Sequence, residues 1–117
     1  MNLKVSQSTL IDGVKIILLK GRFDASAVDE VEAFLMNLIR KNELPFILDM
    51  SLVSYIGSSG LRVLLSLNQE LKAISQRYAI INLPASGKKI IQAMEIDKLF
   101  HIFPGEKEAA EFFNQKI

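Results

Sequence analysis

The stretch Asp49–Leu65, "DMSLVSYIGSSGLRVLL", joins the end of one apolar run to the start of another with a different period. Before Ser51 the chain reads "PFILDM", a short β-branched and aromatic run opened by Pro45, as expected of a buried strand. After Gly60, apolar residues recur at Leu61, Leu64, Leu67, Leu71 and Ile74, the spacing of one helix face. Residues 57–60, Gly-Ser-Ser-Gly, stand where strand gives way to helix. A turn needs one glycine, so two glycines flanking two hydroxyls ask for a further reason.

The same two periods alternate along the rest of the chain. Leu3 to Leu10 alternates as a half-exposed strand, Asp12-Gly13 supplies a tight turn, and "VKIILLK" from Val14 to Lys20 is a nearly continuous buried strand. These two should pair antiparallel. Gly21-Arg22-Phe23-Asp24 breaks the strand, and Ser26 with Asp29 has the spacing of a capping box. Val28, Val31, Leu35 and Leu38 mark the first helix, which closes at Lys41-Asn42. Beyond the second helix, "YAIINL" from Tyr78 to Leu83 reads as a strand, and Ser86-Gly87 opens a short helix running through Met94. Leu99–Phe103 reads as a last short strand, and Pro104-Gly105 leads to a last helix, Glu106–Phe113.

The order β-β-α-β-α-β-α-β-α predicts an α/β domain spanning 1–117. Its sheet should be mixed but mostly parallel, with an antiparallel N-terminal hairpin and about four helices. Loops that follow parallel strands collect at the carboxyl edge of such a sheet, where partners or ligands usually bind. The Gly21–Ser26 and Tyr55–Gly60 loops should therefore lie together, and Asp24 could approach Ser58.

Composition narrows the chemistry. Half of the 117 residues are hydrophobic, ample for one core, and mean hydropathy is +0.25. Fourteen basic and 13 acidic residues are interspersed and give a net charge of +1. No basic block points to nucleic acid or to an anionic membrane. With no cysteine there is neither a disulfide nor a thiolate metal site, and the single His101 cannot build a histidine-rich one. No apolar run reaches the roughly 20 residues of a membrane helix, and no signal-peptide cleavage pattern is present, so a cytoplasmic setting is expected.

Familiar catalytic and phosphate-binding patterns fail at the junction. A nucleophile elbow needs G-x-S-x-G, and the chain has G-S-S-G. A P-loop needs a lysine after its last glycine, and Leu61 follows Gly60. Lys88-Lys89 after Ser86-Gly87 reads better as a solvated helix surface than as an anion site. No catalytic residue, metal or cofactor is therefore expected. Ser58 or Ser59 either caps the helix or presents a hydroxyl where a phosphate is tolerated, because helix N-termini favour anions. Phosphorylation there would add about −1.5 to −2 charges to an exposed loop.

These residues also resemble a known family, the STAS domains of anti-sigma-factor antagonists. "GRFDASAVDEVEAFL" is similar to that family's G-x-[FL]-D segment and first helix. "FILDMSLVSYIGSSGLRVLL" resembles its central [LI]-D-[LM]-S-x-V-x-[FY]-[IM]-D-S-[ST]-G-L signature, and "IIQAMEIDKLFHIF" its C-terminal pattern. The resemblance implies a substrate and switch rather than an enzyme. Its partner would be an anti-sigma factor with serine kinase activity, which phosphorylates Ser58 and is thereby released; Ser59 is the second choice of acceptor. A PP2C-type phosphatase would restore binding. The partner-binding surface implied is Asp24, Gly57, Ser58, Ser59, Gly60 and Leu61. Where the signature has aspartate the chain has Gly57, which leaves Asp24 as the nearest candidate carboxylate. Single STAS domains also resemble the accessory subunit of phospholipid-transport ATPase complexes, and there the same surface would bind constitutively.

Overall fold

A computed structural model describes residues 1–114, and Gln115, Lys116 and Ile117 lie outside the described residues. The elements follow the expected order: β1 (Asn2–Gln7), β2 (Lys15–Phe23), α1 (Val28–Arg40), β3 (Phe46–Ile56), α2 (Ser58–Ala73), β4 (Ala79–Ile81), α3 (Ala85–Ala93), β5 (Ile102–Phe103) and α4 (Glu106–Asn114). They build one five-stranded sheet in the order β1-β2-β3-β4-β5. β1 pairs antiparallel with β2, and the other strands pair parallel.

That strand order decides how the layers form. Each of the three βαβ units steps the same way along the sheet, and parallel crossovers are right-handed, so α1, α2 and α3 must fall on one face. The main core records this. Leu19 and Phe23 of β2 and Met50 of β3 are buried in one cluster with Val31 and Leu35 of α1, Leu64 and Leu67 of α2, and Ile91 of α3. α4 alone lies on the other face, where Ala109 joins Val14, Ile47, Ala79 and Ile81 in a second, smaller cluster. Tyr78 is buried in the main core with its hydroxyl donating to the Leu64 carbonyl at 3.3 Å. Burial pushes that hydroxyl's pKa strongly upward.

Five local expectations need correction. β1 ends at Gln7, because the Ser8 hydroxyl accepts the N–H groups of Leu10 and Ile11 and starts a longer connection than Asp12-Gly13 alone. β2 is not broken at Gly21; it continues to Phe23 through shifts in register, with Gly21 at φ +122°. β3 does not stop at Met50 but runs to Ile56 alongside the lengthened β2. The Ser26–Asp29 capping box does not form, because Ala27 occupies the cap position and Ser26 bonds Asp24 instead. The last strand shrinks to Ile102–Phe103, since Asp97–Leu99 forms a single 3-10 turn.

Candidate functional site

The lengthened β2 and β3 carry two loops to one corner of the carboxyl edge. Arg22 pairs with Tyr55 and Phe23 with Ile56, so Asp24 and Gly57 leave the sheet side by side. A hydrogen bond closes the corner, the Gly57 N–H donating to the Phe23 carbonyl at 3.1 Å. Gly57 is the cap residue of α2, extended at φ −102° and ψ −177°, and its carbonyl accepts the Leu61 N–H at 3.0 Å. No side chain caps this helix, and its first turn holds no acidic residue. The N–H groups of the first turn therefore keep their partial positive charge unopposed.

The two serines now separate. Both lie inside the helix rather than at its cap, which removes the capping role that their spacing alone allowed. Ser58 is exposed and Ser59 half-buried. Gly60 is buried for a packing reason: a Cβ there would stand 2.7 Å from the Phe23 carbonyl oxygen and 2.9 Å from its ring. Leu61 is 2% exposed and belongs to the main core. The expected partner surface is corrected accordingly: Gly57, Gly60 and Leu61 are buried and support the turn from beneath, leaving Asp24, Ser58 and Ser59 accessible.

Asp24 comes to the corner but is otherwise engaged. One carboxylate oxygen accepts the Ser26 hydroxyl at 2.6 Å and the Ser26 N–H at 3.0 Å; the other accepts Arg22 Nε at 3.3 Å. The Ser26 hydroxyl, then its N–H, hold the Asp24 pKa below the usual 3.8, with a smaller lowering from Arg22. A depressed carboxylate contributes stability above about pH 3.8 that is lost as pH falls through the folded value. Ser26→Ala removes the strongest donor, so a carboxyl NMR titration should show the Asp24 pKa rising toward 3.8. An unchanged value would mean that the hydroxyl is not what holds it.

Two residues at this corner were not singled out from the sequence. The Tyr55 ring lies over Gly57, close enough that a Cβ on Gly57 would stand 3.1 Å from both its Cε1 and its Oη. The Arg22 guanidinium stacks on the same ring, 4.5 Å from its centroid. Gly57 thus makes room for an aromatic ring, itself stacked on a cation, where the signature places a carboxylate. The signal was faint but present: Arg22 precedes Asp24, and Tyr55 precedes Gly57, by the same two positions on neighbouring parallel strands. Because Tyr55 is partly exposed and can swing, Gly57→Ala should cost less than about 1 kcal/mol in urea unfolding. The Arg22 and Tyr55 NMR signals should shift all the same.

Elsewhere the carboxyl edge offers an open hollow of about 630 Å³ between Ser51, Asn82, Lys88 and Phe103. A second hollow of about 760 Å³ lies between Gly13, Pro45 and Arg77. Ser58 lines neither. Among the described residues no cluster of acids and histidine could hold a metal ion, and no helix is long and apolar enough to cross a membrane.

The fold and its corner define a small α/β domain that displays a helix-start serine on its surface. The STAS domain profile matches residues 6–109, and the chain belongs to the STAS domain family. It is 30% identical over 102 residues to BtrV of Bordetella bronchiseptica, provisionally described as an anti-sigma factor antagonist, covering 86% of this chain and 85% of that one. Among solved structures, an anti-sigma factor antagonist from Mycobacterium paratuberculosis superposes with a TM-score of 0.84 at 19% identity, covering 97% and 94% of the two chains. The Bacillus cell fate determinant SpoIIAA, solved in its phosphorylated form, gives 0.70 at 22% identity over 97% of this chain and all of that one. At these identities the two structures speak for the fold.

Proposed function

We propose that this chain is an anti-sigma-factor antagonist: a cytoplasmic, non-catalytic module that binds an anti-sigma factor with serine kinase activity. Phosphorylation of Ser58 ends the binding, and a PP2C-type phosphatase restores it. One observation carries this reading: Ser58 is an exposed hydroxyl in the first turn of α2, free of any capping duty. A phosphate on it would meet unopposed N–H groups, so the modified helix start remains stable while the surface gains about two negative charges. The relationship to BtrV and the phosphorylated state of SpoIIAA support the same reading. Asp24, Ser58 and Ser59 form the contact surface, with the buried Gly57, Gly60 and Leu61 fixing it from beneath.

Gly57 favours a second reading. With no carboxylate at the position before Ser58, the corner suits constitutive binding as an accessory subunit of a phospholipid-transport ATPase, with no modification needed. Capture of partners from a native lysate on wild-type and Ser58→Asp protein tests the two. A kinase held by wild type and lost by the variant supports the switch, whereas permease and ATPase subunits support the alternative.

A further inference from the structure

The strand order that gathers α1, α2 and α3 on one face leaves the other face half covered. Parallel strands are ordinarily covered on both faces. α4 packs on β4 and β5, over a cluster that includes Ile47, Ala79 and Ile81. Beyond α4, the register sets Lys4 beside Leu18, Lys20 beside Leu52, and Arg22 beside Tyr55 on the same face of β1, β2 and β3. Leu52 is 48% exposed although it sits on the central strand of the sheet, and Tyr55 is 36% exposed.

Two of the cations on this strip have no carboxylate partner. Lys4 and Lys20 take part in no ion pair among the described residues. Arg22 is held by Asp24 and by the Tyr55 ring. Two carboxylates border the strip: Asp24 holds Ser26 and Arg22, and Asp49 keeps its charge while accepting the Ser51 N–H and the Asn82 amide. Lys4 and Lys20 are thus the cations left without a carboxylate, and Lys20 stands directly beside the exposed Leu52.

We infer that this strip docks an acidic segment of a protein partner, one whose carboxylates meet Lys4, Lys20 and Arg22 while an apolar side chain covers Leu52. The strip adjoins the Ser58 corner through Tyr55, so one partner can span both, but the docking does not require that Ser58 be modified. Charge complementarity of this kind sets encounter rate and partner choice and is weakened by salt.

The test uses the whole chain, labelled with nitrogen-15, and a short synthetic peptide that alternates glutamate with leucine. Amide shifts should cluster at Lys4, Lys20, Arg22, Leu52 and Tyr55. Lys4→Glu with Lys20→Glu should weaken binding by about tenfold or more, whereas Lys88→Glu with Lys89→Glu, an equal charge change on α3, should not. A lysine–leucine peptide should fail to bind, and thermal unfolding of each variant confirms that it is folded. Scattered shifts, equal losses in the two double variants, or no binding at millimolar peptide would overturn the proposal. Vesicles of phosphatidylserine and phosphatidylcholine that bind the strip when the peptide does not would also overturn it, in favour of a lipid surface.

Discussion

Ser58→Asp is expected to weaken binding to the proposed anti-sigma factor kinase by about 100-fold, roughly 3 kcal/mol. The physical cost is local. An exposed neutral hydroxyl becomes a carboxylate that must lose water when the partner closes over it. The same charge lies at the positive end of α2, so the free protein should lose no stability and could gain a few tenths of a kcal/mol. Binding and folding therefore move in opposite directions, which separates a surface effect from a damaged fold. Ser58→Ala should leave binding within about twofold of wild type, since it adds no charge to the surface. Titration calorimetry with the purified partner, beside urea unfolding of each variant, reads both quantities. Equal affinity for wild type and Ser58→Asp would remove Ser58 from the contact.

Gly60→Ala should act through the fold. Its Cβ would meet the Phe23 carbonyl oxygen at 2.7 Å and the buried Phe23 ring at 2.9 and 3.0 Å. Backbone on one side and a core ring on the other leave no easy retreat, unlike the exposed Tyr55 ring beside Gly57. We expect a loss of about 2–3 kcal/mol, from overpacking partly offset by alanine's better helix propensity. For a domain of this size that lowers Tm by roughly 10 °C. Phe23 also accepts the Gly57 N–H, so the strain should move the start of α2 and weaken partner binding as well. A Tm within about 2 °C of wild type would show that the contact between β2 and α2 is looser than the packing here requires.

Much of this was legible in the sequence because it rests on period. Alternating and helical spacings located every strand and helix in order, and crossover handedness turned that order into a mixed sheet. Local side-chain competition was less legible. Ser26 has the spacing of a helix cap, yet Asp24 two residues earlier takes its hydroxyl. Nor do register shifts leave a periodic trace, so the extension of β2 to Phe23 and of β3 to Ile56 was missed. That extension brings Asp24 beside Gly57 and stacks Arg22 on Tyr55. The Gly57 and Gly60 positions stood out in the sequence, but their separate reasons needed coordinates: one accommodates a ring, the other a carbonyl.

Ser58 is proposed as the acceptor of a reversible phosphate. Incubation of the protein with the proposed anti-sigma factor kinase and ATP, followed by mapping of the modified peptide by mass spectrometry, tests it directly. One phosphate is expected on Ser58 and none on Ser59, with loss of partner binding in the modified fraction. No modification, or a phosphate on another residue with binding intact, would contradict it.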